Sequence, residues 1–410
     1  MGKTLEKNRQ STIEKFENKI SFFSNNIFLS LLIIGIIGLS IRILFLDIEI
    51  PMNSDNFRYF NVAINQMTGY SSEEFLLAND GWPYFLSLFF SITPSNNFMD
   101  YMALQKFLTI GISVLTIIPI YFLAKQFVSK QYAILSAAIF IFEPRIAQNS
   151  LFGITEPLYI MALTISLALI FYKKYYPQYI SFAILSFAIL IRSEGLFLLP
   201  IFFVIVILRS RKNKKIFFHL FIILIIITSI LLPVSIIRSE YLGNDGMTAR
   251  ISGGIDHISK TSDGNQNQIF SIVINGIINM LKFLAWSQIP YLIFFVPIGL
   301  ILFIKTGNKY EKSLILVAIS ALIPTIYPYS FASDVRWIFP LYPIFCIMSV
   351  YSMRYFLQKT TKPKCITIVI FSLIIISSIF YLNWKEVDQS QELELYNLAL
   401  EISSRTSMVN

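Results

Sequence analysis

Charged residues are scarce in this sequence, and so are cysteine and histidine. Asp, Glu, Lys and Arg make up 14% of the 410 residues, against about 25% in a typical soluble domain. This scarcity excludes an ordinary soluble enzyme and an intrinsically disordered protein. The two cysteines and two histidines exclude a disulfide-stapled module and match no zinc motif. Phosphate-loop, dinucleotide-binding and Ser-His-Asp signatures are also missing.

Long apolar runs occupy most of the chain instead. Hydrophobic residues make up 55% of it, and the mean hydropathy is +0.65. Because a spanning helix needs about 20 apolar residues, we expect an all-α polytopic membrane protein with about eleven spans. The interruption at 192–195 favours two short spans over one long tilted helix. The predicted spans are 27–46, 101–124, 131–149, 156–172, 179–192, 196–208, 216–237, 280–304, 313–329, 337–357 and 365–382.

Basic residues determine the predicted orientation. The formal net charge of +9 could by itself indicate a nucleic-acid partner. Lys and Arg cluster, however, in short loops that follow every second apolar run. Such loops stay on the cytoplasmic side of a membrane. We therefore expect a multi-pass cell-membrane protein with a cytoplasmic N-terminus, an outer C-terminus and no nucleic-acid partner.

The predicted organisation is one transmembrane domain followed by a short tail. The domain covers residues 1–382 and carries two outer loops, 47–100 and 238–279. Within the first loop, the apolar segment Gly81–Pro94 is too short to span, so an interfacial or re-entrant helix is expected. Residues 383–410 have the pattern of an amphipathic helix that lies on the outer membrane surface.

Ionisable residues near the ends of the predicted spans all fall on the outer side. Charge in hydrocarbon is costly, so such residues face a protein interior or a wet cavity. Collected at one depth, they could line a single pocket, which suits an amphiphile with its head group at the interface and its tail in lipid. The residues are Asp55, Glu143, Arg145, Glu156, Arg192, Glu194, Asp334 and Arg336.

Each of these residues also has a structural explanation. Asp55 could cap a helix that starts at the next residue, and Glu156, followed by proline, stands at a helix start. Arg192 could simply pair with Glu194 at the interface. The functional alternative for Asp55 is to accept a proton from an attacking hydroxyl group.

The order of the polar motifs is more specific than any one of them. It resembles the GT-C superfamily of membrane glycosyltransferases over about Ile27 to Tyr381. The branch it is most similar to contains the family-39-like dolichyl-phosphate-mannose protein mannosyltransferases and the lipid A aminoarabinose transferases. The motifs are Asp55 in the first loop, NDGWPYFL at 79–86, EPRIAQNS at 143–150, GITEPLY at 153–159, RSEG at 192–195 and DVRWIFPLYP at 334–343.

This resemblance implies a GT-C-like fold and a polyprenyl- or dolichyl-phosphate-linked sugar donor. It implies inverting transfer on the outer face, with Asp55 as the catalytic base and Glu156 helping to hold the acceptor or the base. Arg336 lies in the motif that is expected near the lipid phosphate. The other expected substrate contacts are Arg145, Arg192, Glu194, Arg250, Asp334 and Trp82.

Two positions depart from the family pattern. Many relatives carry an acidic pair in the first loop, whereas Ser54 and Asn56 flank Asp55 here. Ser193 stands where many relatives have proline. The acceptor could be a protein, a lipid or a glycan, and a divalent cation could bind the lone carboxylates. A transporter or flippase for a lipid-linked sugar or polar solute is the main alternative, although no internal repeat supports it. A structural subunit of a glycan-assembly complex is the third.

Overall fold

The computed structural model describes residues 26–52, 54–69, 79–172, 174–210, 215–243, 245–262, 265–308, 310–385 and 390–406. Within these ranges all regular structure is helical, which confirms the all-α prediction. Short 3-10 helices cover Ser193–Leu198, Ile323–Thr325 and Val335–Leu341. The α-helices are α1 Ile27–Leu44, α2 Ser54–Thr68, α3 Gly81–Ile92, α4 Phe98–Leu115, α5 Ile117–Ala124, α6 Lys130–Ile141, α7 Pro144–Asn149, α8 Glu156–Ile170, α9 Tyr175–Ile191, α10 Leu199–Ser210, α11 Ile216–Leu242, α12 Ala249–Thr261, α13 Gln266–Trp286, α14 Leu292–Thr306, α15 Ser313–Leu322, α16 Ile326–Phe331, α17 Tyr342–Leu357, α18 Pro363–Trp384 and α19 Ser390–Thr406.

Seven helical stretches in the described part of the chain are long and apolar enough to cross a membrane by themselves. Shorter apolar helices, such as α8 and α9, pack among them in the interior. The chain is therefore a multi-pass membrane protein, and the number of eleven crossings stays a prediction. The seven stretches are Ile27–Leu44, Phe98–Ala124, Ile216–Glu240, Gln266–Trp286, Ser313–Phe331, Val335–Leu357 and Pro363–Trp384.

Contacts bring the predicted inner loops together at one end of the helix bundle. The rings of Phe127 and Phe171 lie 5.1 Å apart, and those of Phe171 and Tyr310 lie 5.3 Å apart. Arg209 donates to the carbonyl of Phe171, and Tyr351 donates to that of Phe127 at 3.0 Å. The described basic loops thus share one end, as the alternation predicts. Which end faces the cytoplasm stays a prediction.

The two short predicted spans on either side of residues 192–195 form a hairpin. Phe182 on α9 lies 5.9 Å from Phe202 and 5.0 Å from Phe203 on α10, measured between ring centroids. Phe182 and Phe202 are each ten residues from Arg192, so the two helices run antiparallel from that point. The sequence interpretation of a break at 192–195 is confirmed, and it places Arg192 at the tip of the hairpin.

Proline residues interrupt the predicted spans 280–304 and 131–149. The span 280–304 divides between α13 and α14, because Pro290 cannot donate a backbone hydrogen bond and restricts the residue before it. The span 131–149 is interrupted before Pro144, and the side chain of Glu143 accepts a hydrogen bond from the amide of Ile146 at 2.9 Å to cap α7. The expected outer loop 238–279 is likewise mostly helical, since it contains α12 and the first part of α13.

A buried arginine connects α1 with its neighbouring helices. The fully buried Arg42 on α1 donates to Ser150 Oγ at 2.9 Å, to Ser113 Oγ at 3.2 Å and to the carbonyl of Ile141 at 3.0 Å. These bonds satisfy a charge that would be costly in lipid. They fix the end of α1, from which the first loop departs.

Small residues also set the spacing of helices. A Cβ on Gly299 of α14 would lie 1.8 Å from the carbonyl oxygen of Met348 on α17. Only glycine permits this backbone approach, which is how many membrane helices pack.

The polar loop and the tail form surface helices. α2 and α3 follow the first span, and α3 occupies most of the apolar segment that is too short to cross. The tail helix α19 exposes leucine and isoleucine side chains, including Leu395 and Leu400. The tail is therefore helical over Ser390–Thr406, and its amphipathic contact with the membrane stays a prediction.

Candidate functional site

Asp55 lies in the first turn of α2, immediately after a loop that is fixed to the bundle. The Nζ atom of Lys106 donates to the carbonyls of Asp47 and Ile50, both at 2.8 Å. The Asp55 side chain remains 46% exposed, and its Oδ2 atom lies 3.4 Å from Nη2 of Arg336. A carboxylate and a guanidinium that are 281 positions apart in sequence therefore meet at one end of the bundle.

Arg336 is held in place by its neighbour Asp334. The Oδ1 atom of Asp334 accepts the Arg336 backbone N–H at 2.9 Å, and Oδ2 accepts Nε–H at 2.6 Å. Tyr329 donates to the carbonyl of Asp334 at 2.9 Å. Asp334 thereby orients the guanidinium and leaves Nη2 for the contact with Asp55. The expected substrate contact Asp334 is a positioning residue in this arrangement.

Glu156 and Arg192 form a second, more buried pair. Arg192 donates from Nη1 to Glu156 Oε1 at 2.6 Å and from Nη2 to Glu194 Oε1 at 3.1 Å. The Glu156 side chain is only 5% exposed. Its second oxygen, Oε2, has no hydrogen-bond partner among the described residues. That oxygen is therefore an unused hydrogen-bond acceptor.

Both pairs face one polar pocket of about 290 Å³. Tyr59 lies in its wall, where burial, reinforced by Glu156, raises the pKa of the phenol. Tyr59 therefore remains a protonated hydroxyl that can donate or accept a hydrogen bond. The pocket is lined by Asp55, Arg58, Tyr59, Asn79, Thr155, Glu156, Ile191, Arg192, Arg336 and Trp337.

An apolar groove of about 250 Å³ adjoins this polar pocket. Trp337 lines both spaces, so we call the second one the Trp337 groove. Its walls come from α12, the segment 323–328 and Phe197, with Glu194 at its polar end. The groove is large enough for part of a hydrocarbon chain. It meets the polar pocket at Trp337, the residue that follows Arg336.

Four expected substrate contacts do not line the polar pocket, and one of them is Asp334, which contacts Arg336 instead. Trp82 is fully buried, and its indole N–H donates to the carbonyl of Gly153 at 3.2 Å, so it supports the wall rather than the substrate. Glu194 contacts Arg192 and lines the Trp337 groove. The Arg250 side chain lies outside the described residues.

Arg145, the last of the four, lies elsewhere at the same end of the bundle. It donates to the hydroxyl of Tyr381 at 3.0 Å and to the carbonyl of Trp286 at 3.1 Å, and its guanidinium stands over both rings. We call these three residues the Arg145 cluster. The cluster joins α7, α13 and α18. The structure therefore gives Arg145 a connecting role and no place in the polar pocket.

The sequence interpretation missed six residues of the pocket wall, including Ile191 at the end of α9. Arg58 and Tyr59 follow Asp55 by three and four positions, so helical periodicity alone puts them on its face. Trp337 follows Arg336 directly. Asn79 and Thr155 belonged to recognised motifs but carried no charge that would have singled them out.

Comparisons with known proteins find structural relatives only. No family model and no curated protein sequence matches this chain. The archaeal oligosaccharyltransferase AglB of Archaeoglobus fulgidus, solved with zinc and sulfate, superposes with a TM-score of 0.62 at 14% identity, covering 89% of this chain and 53% of that one. The same enzyme with an inhibitory peptide and a dolichol-phosphate gives a TM-score of 0.62 at 12% identity, covering 91% and 56%.

ArnT of Cupriavidus metallidurans, bound to undecaprenyl phosphate, is also similar. The TM-score is 0.54 at 12% identity, and the match covers 79% of this chain and 60% of that one. This chain thus spans between half and two thirds of these relatives. At such low identity the likeness establishes architecture alone. The expectation from the sequence motifs is confirmed: this membrane protein has a GT-C-like fold.

Proposed function

We propose that this protein transfers a sugar from a polyprenyl- or dolichyl-phosphate donor to an acceptor hydroxyl at the outer face of the membrane, with inversion. The observation that carries the proposal is the meeting of Asp55 and Arg336 across one polar pocket beside an apolar groove. The structural neighbours were solved with dolichol-phosphate and undecaprenyl phosphate, and ligands of that class fit a polar pocket next to an apolar groove.

Asp55 is the best candidate for the base. It is half exposed and lies in the pocket wall, where an acceptor hydroxyl can reach it. The acceptor oxygen attacks the anomeric carbon as its proton passes to Asp55, and the carbon–oxygen bond to the phosphate breaks on the opposite side. The lipid monophosphate leaves with the bonding electrons. A phosphate is a good leaving group, so no strong general acid is needed.

Arg336 is the best candidate for the phosphate contact. Its planar fork makes paired hydrogen bonds to phosphate oxygens and keeps its charge. Asp334 occupies Nε, while Nη2 lies 3.4 Å from Asp55 and Arg336 lines the pocket. The donor hydrocarbon then enters the Trp337 groove, because Trp337 connects that groove with the pocket.

Glu156 holds the acceptor in this scheme. Its Oε1 atom accepts a hydrogen bond from Arg192, its buried Oε2 has no described partner, and the residue lines the pocket. A hydroxyl of the acceptor would satisfy that oxygen, and a buried polar atom left unpaired is costly. Arg192 orients the carboxylate.

The described residues do not fit a resident metal ion. One neighbouring structure was solved with zinc, and a divalent cation was an open possibility for the lone carboxylates. Across the described ranges no group of three His, Cys, Asp or Glu side chains could hold a metal. Asp55 and Glu156 each contact an arginine instead. Every step above is therefore assigned to side chains of this chain.

The test compares the native protein with Asp55→Asn in nanodiscs. A panel of radiolabelled hexosyl-phosphoryl undecaprenols and dolichols is supplied with membrane extracts as acceptors. Because the amide cannot take the proton, transfer should fall by roughly 10²- to 10⁴-fold, while binding of undecaprenyl phosphate is retained.

Glu49→Gln is the matched control, since it neutralises an exposed carboxylate of the same loop that does not line the pocket. It should behave as native. Unchanged transfer in Asp55→Asn would remove the catalytic assignment. Label that crosses a sealed vesicle without being transferred would favour the transporter.

A further inference from the structure

A second apolar space lies on the other side of the polar pocket. It encloses about 470 Å³ between α3, α9 and α11, with the turn 245–247 at one end. We call it the α3–α9–α11 chamber. Its walls are almost entirely hydrocarbon and aromatic, and include Leu88, Phe187, Leu190 and Val234. It is larger than the Trp337 groove and is built from different helices.

The chamber opens sideways, between helices, rather than into the bundle. Tyr84 and Leu88 of α3 are 55% and 63% exposed, and Ile237 of α11 is 54% exposed. Ile237 lies on the spanning helix α11, where an exposed apolar side chain faces lipid, so the opening communicates with the bilayer. A hydrocarbon chain can therefore enter from the membrane without crossing water.

Charge is confined to one end of the chamber. Asp80 and Arg238 form an ion pair there, and Arg238 is 7% exposed although it lies at the end of an apolar space. The turn closes over this pair: Gly246 has φ +71° and a Cβ there would lie 2.3 Å from Nε of Arg238. Charges at one end and hydrocarbon at the other are the arrangement that suits a lipid whose head group lies beside Asp80.

That polar end meets the polar pocket. Asn79 lines both spaces. Gly81 packs so closely on the end of α9 that a Cβ would lie 2.7 Å from the Leu190 carbonyl. This contact sets Asn79 beside Ile191, which lines the pocket. A head group in the chamber mouth thus has a short path past Asn79 toward Asp55.

We propose that the acceptor is itself a membrane lipid, whose hydrocarbon chain occupies the α3–α9–α11 chamber and whose hydroxylated head group enters the polar pocket past Asn79. This inference rests on the proposed glycosyl transfer. The hydrocarbon chain of the donor fills only one of the two apolar spaces that flank the pocket. A water-soluble protein or glycan acceptor has no hydrocarbon chain that would occupy the other space. The bonds made and broken are those of the proposed reaction, and the acceptor oxygen belongs to a lipid.

The first test fills the chamber with Val234→Trp. Ile236→Trp is the matched control, because Ile236 lies on the same helix, is 55% exposed and does not line the chamber. Label from the donor panel is followed into the organic phase, as a glycolipid distinct from the donor, and into the water-soluble fraction. Val234→Trp should lower transfer to the lipid by roughly 100-fold, as expected for a displaced reactant, with undecaprenyl phosphate binding and melting temperature retained.

The second test does not depend on turnover. A photocrosslinking amino acid is placed at position 234 or at position 236 of the full chain in native membranes, and captured lipids are identified by mass spectrometry. We expect position 234 to capture one hydroxylated lipid class that position 236 does not.

The outcomes separate the two proposals. Label that appears only in protein or water-soluble glycan, with Val234→Trp equal to Ile236→Trp, would overturn the lipid acceptor, and so would identical bulk phospholipids at both positions. A distinct lipid at position 234 without sugar transfer from any donor would support the chamber as a lipid site and count against the proposed transferase activity.

Discussion

Two arginine clusters at the same end of the bundle look alike in the sequence and differ in the structure. Arg336 and Arg145 each belong to a motif with an acidic neighbour and an aromatic or proline residue close by. Arg336 is partly exposed and faces a carboxylate across a pocket. Arg145 is buried, and its described hydrogen bonds go to a tyrosine hydroxyl and a backbone carbonyl.

The difference shows what makes an ionisable residue available for chemistry. The donors of Arg145 contact neighbouring helices, so they contribute to the folded state. Arg336 donates from Nε to Asp334 and from Nη2 to Asp55, and its side chain is about one-third exposed in the pocket wall. Position along the chain puts both residues at one depth, but only the partners on other helices decide which of them can bind a ligand.

Arg336→Ala should give the largest effect among the variants that separate the two clusters. Removing one preorganised donor to developing charge costs roughly 10²- to 10³-fold in rate. The protein should still fold, because the side chain is about one-third exposed. Turnover of the lipid-linked donor and binding of undecaprenyl phosphate measure the loss.

Arg405→Ala is the control for that variant, since it removes an exposed arginine of the tail helix. Equal activity in Arg336→Ala and Arg405→Ala would remove Arg336 from the phosphate site.

Arg145→Ala should act on stability instead. Hydrogen bonds from a charged group to buried partners contribute about 1.5–3 kcal/mol, and both partners of Arg145 lose theirs. The melting temperature in detergent should fall, while transfer per folded molecule stays close to native. A native melting temperature combined with a loss of transfer would return Arg145 to the substrate contacts expected from its motif.

Much of the fold follows from the sequence, because the bilayer imposes a simple rule. Apolar length predicts where helices cross, and the Arg192 break predicts the α9–α10 hairpin that the structure contains. The rule fails at Pro290, where the apolar run continues but the backbone cannot, so one predicted span spreads over two helices. The same rule does not predict the close approach at Gly299, because that contact is made with α17, which begins more than 40 residues later in the sequence.

The site is less predictable for a physical reason. The carboxylates and arginines could be named, but their pairing depends on helix packing that no local pattern encodes. Glu156 pairs with Arg192 and Asp55 with Arg336, whereas the motif order allowed Arg145 in the same group. Trp82 belongs to a motif because its indole secures a loop carbonyl, a supporting role that the motif alone does not reveal.

Asp334→Asn tests the contact between Asp334 and Arg336 beside the polar pocket. The amide keeps an acceptor for the Arg336 backbone but loses the charge-assisted bond to Nε, worth roughly 1–1.5 kcal/mol, so transfer should fall by about tenfold. The decisive readout is a double-mutant cycle. In the Arg336→Ala background the same change should have no further effect, whereas an equal loss in both backgrounds would give Asp334 its own role.

Tyr381→Phe is the mildest change and probes the structural cluster alone. It removes one acceptor of Arg145 and keeps the ring beneath the guanidinium, so stability should fall by about 0.5–1.5 kcal/mol. Combined with Arg145→Ala, it should add little, because the bond is already lost. Denaturation of the four proteins of this cycle measures the coupling. Since Tyr381 does not line the pocket, transfer per folded molecule should be unchanged, and a selective loss of transfer would mean that the two clusters are coupled through α7 and α8.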